Sequence, residues 1–89
     1  MPAFVYMLRC KDDSLYTGWT NDLQHRLKMH AAGKGAKYTR GRGPLTLVYS
    51  EELADKESAL KRECEIKALT RAEKLALCAN WQPQEDEEE

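Results

Sequence analysis

The sequence lacks a long apolar run and any paired-cysteine pattern. Its N-terminal apolar segment, residues 4–8, is too short for the core of a signal peptide and far too short to cross a bilayer. The three cysteines are odd in number, widely spaced and without a Cys-x-x-Cys pair, so we expect neither a disulfide framework nor a zinc site. These absences exclude membrane-spanning and disulfide-stapled secreted proteins, and they favour a reducing compartment, the cytoplasm.

Length and composition indicate one small domain. The chain has 89 residues, of which 42% are hydrophobic, and it contains no internal repeat and no second domain boundary. Domains of this size bury only about 60 to 65% of the surface that the unfolded chain exposes, so a binding surface must lie on the domain's own face. We predict a folded domain over residues 1–82 and a polar, acidic, disordered tail over 83–89.

The net charge of -1 conceals an uneven distribution of charge. Residues 85–89 are all acidic, and removing these five from the 15 acidic residues leaves 10 against 14 basic ones. Residues 9–42 are more basic still, with eight lysines and arginines against three aspartates. A basic half-domain favours a polyanionic partner, although a lysine-rich solvated surface explains the charge equally well.

The first third of the chain predicts a hairpin followed by a helix. Ala3–Arg9 and residues 15–19 are rich in β-forming side chains, and the polar segment between them predicts a turn. Asn21 and Gln24 form a capping pattern that opens a helix, which Gly33 closes.

The rest of the chain predicts a loop, one strand and two helices. Residues 34–44 are glycine-rich and basic without an apolar period, which indicates a loop, and residues 45–49 predict the third strand. Asp55 can cap the second helix, and Thr70 with Glu73 forms a capping box for the third. The side chains predicted to point inward from the second helix are Ala59, Leu60, Cys64 and Ala68.

This order of elements, β-β-α-β-α-α, predicts the fold class. A single α+β domain, with a three-stranded, largely antiparallel sheet and flanking helices, buries the apolar stripes in one core.

Several polar side chains could carry chemistry. Arg26 and His30 lie one turn apart and share a helix face. Glu63 lies beside an apolar stripe, where a carboxylate is costly unless it is paired or binds a metal ion. Each has an ordinary alternative: a surface arginine, a histidine favoured by the helix dipole, and an exposed pair of Glu63 with Lys67.

Several motifs, which are separated along the chain and occur in the family's order, make the chain resemble a known family. Phe4-Val5-Tyr6 and Tyr16-Thr17-Gly18, the run 18–23 that leads to Arg26, and the segment 59–63 are similar to a GIY-YIG nuclease domain, and most similar to its small stand-alone YhbQ-like subfamily. The resemblance covers residues 5–77. Phe4 stands where the family's name-giving glycine lies, and Val5 and Thr17 replace its two isoleucines.

The resemblance implies hydrolysis of a DNA phosphodiester with one divalent ion, Mg²⁺ or Mn²⁺. Glu63 matches the metal-ligand glutamate, and Arg26 matches the arginine that steadies the scissile phosphate. Tyr6 and Tyr16 match the tyrosines that position or deprotonate the attacking water, and which of them is the base stays open. His30 lies where related nucleases place a histidine near the phosphate.

Nucleic-acid contacts are predicted outside this group of residues. The basic loop offers side chains for backbone phosphates, with an aromatic ring that can stack on a base. The alternatives are a solvated loop and, for Trp19, packing on the first helix. The predicted contacts are Trp19, Thr20, Lys34, Lys37, Tyr38, Thr39, Arg40 and Arg42.

The catalytic interpretation makes a geometric prediction about the hairpin. Side chains alternate across a sheet, so Tyr6 and Tyr16 share a face only if the numbers of two residues paired across the hairpin add up to an even number. Pairing of Tyr6 with Gly18 is such a case. A two-residue turn would separate them. We therefore predict an odd-length loop or a bulge, with Gly18 leaving space for the Tyr6 ring.

The resulting hypothesis is a metal-dependent DNA endonuclease that acts in DNA repair or recombination, with RNA not excluded as a substrate. The alternative is a catalytically weak nucleic-acid-binding module of the same fold. A third hypothesis is a protein-interaction module whose acidic tail, residues 85–89, shields the basic face. Because we expect no separate DNA-binding domain, a protein partner could supply targeting. No membrane partner is expected.

Overall fold

The computed structural model describes residues 2–35, 41 and 43–81 and has the predicted order of elements. The α+β class and the antiparallel sheet are confirmed, while the third strand starts one residue late and ends four residues beyond the predicted end. No helix within the described ranges is long and apolar enough to cross a membrane. The elements are β1 Ala3–Arg9, β2 Leu15–Thr20, α1 Leu23–Ala31, β3 Thr46–Leu53, α2 Lys56–Lys67 and α3 Arg71–Asn80.

The sheet has the strand order β2-β1-β3, with both pairs antiparallel. The central strand β1 is covered on both faces, and Val5, Tyr6 and Met7 are all fully buried. Burial on both faces explains why β1 is almost continuously apolar instead of alternating. The outer edge of β2 has no neighbouring strand within the sheet, so side chains from both of its faces can meet there.

The β1–β2 hairpin has the predicted even-sum register. Tyr6 pairs with Gly18 and Leu8 pairs with Tyr16. The connection, residues 10–14, has an odd length, as the catalytic interpretation requires. Both tyrosines therefore lie on one face of the sheet.

The opposite face of the sheet carries the main core. Ala3, Val5 and Met7 of β1 pack against Ala59 and Ile66 of α2, all of them 1% exposed or less. Burial of this apolar surface is the main force that holds α2 on the sheet.

The predicted inward face of α2 is wrong in three of its four residues. Ala59 is buried, but Leu60, Cys64 and Ala68 are exposed. The face that packs on the sheet is formed by Ala59, Glu63 and Ile66, which are spaced four and three residues apart as the helical period requires. Side-chain polarity misled the prediction, because the middle residue of the inward face is an acid.

Both predicted caps of the later helices are confirmed. Asp55 accepts the backbone N–H of Ser58 at 2.8 Å, and Thr70 forms the reciprocal box with Glu73. The predicted cap of α1 is wrong by one position, since Asp22 instead of Asn21 accepts the N–H of His25. The reason is tertiary, because pairing with β1 extends β2 to residue 20 and moves the start of the helix.

Candidate active site

Two tyrosine rings cover Gly18 on the sheet face opposite the core. A Cβ atom on Gly18 would lie 2.9 Å from the hydroxyl of Tyr6 and 3.0 Å from Cε2 of Tyr16. The ring centroids of the two tyrosines are 6.2 Å apart, within the range of favourable aromatic pairs. The prediction that Gly18 leaves space for a phenol ring is confirmed, and the space serves both rings.

Helix α1 adds His30 and Arg26 to this pair. The Tyr6 hydroxyl oxygen lies 2.8 Å from Nε2 of His30, and the His30 ring centroid is 5.5 Å from that of Tyr16. A side-chain hydrogen bond with Tyr6 is the largest cause of the raised pKa of Arg26, and Tyr16 contributes to the same shift. We call Tyr6, Tyr16, Arg26 and His30 the tetrad; three different elements contribute to it.

Burial shifts the pKa values of Tyr6 and His30 in the tetrad. It raises the pKa of Tyr6 to about 12, although Arg26 opposes the shift. Burial also lowers the pKa of His30, and the nearby charge of Arg26 lowers it further, so the imidazole is neutral at pH 7. Because Arg26 can only donate, the Tyr6 oxygen accepts from it, and the Tyr6 hydroxyl also shares a hydrogen bond with Nε2 of His30.

The other side of the His30 ring packs against Gly35, a residue that the sequence did not single out. A Cβ atom on Gly35 would overlap Nδ1 of His30 and would lie 2.7 Å from both Cε1 and Cγ of the ring. His30 is itself only 3% exposed, so the ring cannot move away into solvent. Gly35 therefore holds His30 in contact with Tyr6, and its position in a glycine-rich segment was the only signal for this role.

We expect Gly35→Ala to destabilise the fold by roughly 1 to 3 kcal/mol, because an added methyl group must displace a packed ring. Urea denaturation measures this difference. Gly43→Ala is the matched control, since a Cβ there meets no atom of the described residues within 4 Å and the backbone needs no positive φ. Equal stability of the two variants would contradict the role given to Gly35.

Glu63 lies on α2, with its side chain only 14% exposed. Its Oε2 atom pairs with Nζ of Lys67 at 3.1 Å, which confirms the ordinary pairing considered for this residue. Lys67 also lines a groove of about 270 Å³ together with Tyr16, and the groove follows the free edge of β2. The structure thus gathers four of the five predicted catalytic residues in the tetrad, whereas Glu63 lies on α2, which packs on the opposite face of the sheet.

The donor set can be tested against a divalent cation. The described ranges contain no group of three or more histidine, cysteine, aspartate or glutamate side chains that could cage an ion. Magnesium is commonly held by one or two carboxylates, with water and substrate phosphate completing its shell. Glu63 fits this open type of site, where the cation must compete with the ammonium group of Lys67 for the carboxylate.

The predicted nucleic-acid contacts divide into two groups. Trp19 packs half-buried against the core cluster, on the face opposite the tetrad, with Nζ of Lys56 5.6 Å from its ring centroid. The Thr20 hydroxyl oxygen accepts the backbone N–H of Asp22 at 3.0 Å, and Lys34 is exposed after α1. The predicted tail, residues 83–89, lies outside the described residues. The predicted contacts that also lie outside them are Lys37, Tyr38, Thr39, Arg40 and Arg42.

Comparison with known proteins identifies the family of the chain. A family model described as the GIY-YIG catalytic domain matches residues 2–76. The UPF0213 protein OB0043 of Oceanobacillus iheyensis is 58% identical over 74 residues, which are 83% of this chain and 86% of that protein. The UPF0213 protein NP_0776A of Natronomonas pharaonis is 51% identical over 77 residues, 86% of this chain and 91% of that protein.

Solved structures with the same fold include a UPF0213 protein. The solution NMR structure of the UPF0213 protein BH0048 from Bacillus halodurans has 52% identity and a TM-score of 0.59, and the match covers 89% of this chain and 84% of that one. Since both the family model and these relatives span most of its length, this chain belongs to the GIY-YIG nuclease superfamily and is a relative of the small UPF0213 proteins.

Proposed function

We propose that this domain is a divalent-metal-dependent endonuclease that hydrolyses DNA phosphodiester bonds in repair or recombination. The observation that carries the proposal is the convergence of two phenols, a guanidinium and a neutral imidazole around Gly18. Membership of a nuclease superfamily supports the reaction class. The proposed compartment is the cytoplasm, where the free thiols of Cys10, Cys64 and Cys78 stay reduced.

The proposed roles follow from burial and charge. Arg26 is permanently charged and only partly exposed, and its planar fork suits two oxygens of the scissile phosphate. Tyr6 is held protonated by its high pKa, so its role is to orient Arg26 and His30 instead of removing a proton. Tyr16 is partly exposed at the rim of the groove, where it can position the attacking water.

Glu63 is the residue that would hold the divalent cation. A cation bound there would supply a water of lowered pKa and neutralise charge that develops on the phosphoryl oxygens. Mg²⁺ and Mn²⁺ both suit an oxygen ligand of this kind.

The proposal is tested on a panel of plain duplex, branched and single-stranded DNA, with RNA as a further substrate. We expect products with Mg²⁺ or Mn²⁺ on at least one DNA substrate and none after the metal is removed with EDTA, because the tetrad contains no group that can replace the cation. Binding that weakens with salt, without cleavage of any substrate, would support the nucleic-acid-binding alternative instead.

A further inference from the structure

The groove beside β2 shares Tyr16 with the tetrad and has a positive lining. Its walls are formed by the edge strand and by the consecutive helices α2 and α3, and its volume of about 270 Å³ exceeds many times the roughly 30 Å³ that a water molecule occupies in the liquid. The residues that line it are Leu15, Tyr16, Thr17, Lys67 and Lys74.

The two lysines come from different helices and face one space. Lys67 is the last residue of α2, and Lys74 lies in the first half of α3. Within residues 2–35, 41 and 43–81, no carboxylate lies within ion-pair distance of Lys74, although this residue is partly buried. Lys67 gives one contact to Glu63, and its ammonium group has three N–H donors. The groove therefore holds more positive charge than its described surroundings neutralise.

Thr17 is an independent sign of a polar occupant. The residue is only 4% exposed, and its Oγ1 atom is enclosed without a hydrogen-bond partner in the part of the chain that the structure describes. An enclosed hydroxyl without a partner costs roughly 1 to 3 kcal/mol, so such groups are rare unless something satisfies them. Thr17 lines the same groove as the lysines, so rotation of its side chain toward the groove would let an oxygen-rich ligand there satisfy its hydroxyl as well as their charges.

We propose that this groove binds the phosphodiester next to the scissile one, with Lys67 and Lys74 neutralising the phosphate and Thr17 facing its oxygens. One part of this inference, the identity of the ligand as a nucleic-acid strand, rests on the proposed function. Tyr16 belongs to both the tetrad and the groove, so one continuous backbone can occupy the two places. Phosphate contacts of this kind position a strand without reading its sequence.

The test is the salt dependence of duplex binding, measured in EDTA so that no cleavage occurs. Each phosphate contact contributes about 0.9 to the slope of log affinity against log salt, which is about a threefold loss of affinity between ~50 and ~200 mM salt. We expect Lys74→Met alone to reduce the magnitude of this slope by about 0.9, the contribution of one phosphate contact. The double variant, Lys67→Met with Lys74→Met, should reduce it by about the same amount. Lys61→Met is the matched control, since this lysine is exposed on α2 and does not line the groove.

A second measurement maps the ligand to the groove without removing any charge. NMR titration with a dinucleoside monophosphate should shift the amide signals of Thr17 and Lys74, whereas the same nucleoside without phosphate should not. A slope that falls equally for Lys61→Met, or shifts that are the same for both probes, would overturn the proposal. Glu63-dependent cleavage together with an unchanged slope would reject phosphate binding in the groove and keep the proposed nuclease activity. A slope reduced by the groove variants without cleavage of any substrate would keep phosphate binding in the groove and reject the nuclease activity.

Discussion

Replacing Glu63 with glutamine is expected to abolish metal-dependent cleavage while leaving the fold intact. Glutamine keeps the shape of the side chain but removes the charge that would hold the cation. Loss of the cation's transition-state stabilisation, roughly 4 kcal/mol, corresponds to about a thousandfold lower rate. Stability should change little, because the pair that is lost involves a largely exposed lysine and helix pairs at this spacing contribute only a few tenths of a kcal/mol.

The matched control for this variant is Glu65→Gln on the same helix. Glu65 is 53% exposed and pairs with Arg62 at 3.1 Å, so it carries the same charge without lying on the inward face. Initial cleavage rates at saturating Mn²⁺ and binding of Mn²⁺ alone should both fall for Glu63→Gln and stay unchanged for Glu65→Gln. If wild type and Glu63→Gln both gave only the same trace background of cleavage, Glu63 would have no part in a reaction and the enzyme assignment would fail.

Changing Arg26 to lysine is expected to lower kcat by roughly 100- to 1000-fold, although the charge is kept. Lysine supplies a single ammonium group where the guanidinium offers a planar fork that can contact two phosphate oxygens. The substitution also weakens the hydrogen bond to Tyr6 that raises the pKa of Arg26. Because most of the attraction to the nucleic acid comes from net charge, KM should change much less than kcat.

Arg9→Lys is the control for this second variant. Arg9 is exposed at the end of β1, and its replacement tests the same chemical change away from the tetrad. Thermal unfolding of both variants separates loss of catalysis from loss of the fold. If Arg26→Lys kept the wild-type kcat, the planar fork would have no part in the reaction and Arg26 would be a structural partner of Tyr6.

Most of the secondary structure could be predicted because its signals are local. Aspartate and threonine accept backbone N–H groups within three residues, so the caps at Asp55 and Thr70 depend on little else. Recognition of both strands left two outcomes for Tyr6 and Tyr16, because side chains alternate along a strand, and the catalytic interpretation selected the shared face that the structure has. The start of α1 was missed by one residue, since the end of β2 depends on pairing with β1.

The residues around the predicted site were harder to identify. Gly35 packs on His30, and Lys74 shares a groove with Tyr16, yet neither position has a marked pattern in the sequence. Contacts between residues so distant along the chain depend on how helices dock on the sheet. Docking in turn depends on the shape of the whole apolar surface, which no short motif contains.

By itself, the sequence determined the order of the elements, the side chains that can carry chemistry and the two possible pairings of the hairpin, one of which sets two phenols on one face. These follow from interactions over a few residues and from the twofold alternation of a strand. Only the tertiary structure decided that the Tyr6 hydroxyl links Arg26 to His30 and that Glu63 faces the sheet beside Lys67. Burial changes pKa values and partners only when distant segments exclude water from the same space, and this exclusion is a property of the folded chain.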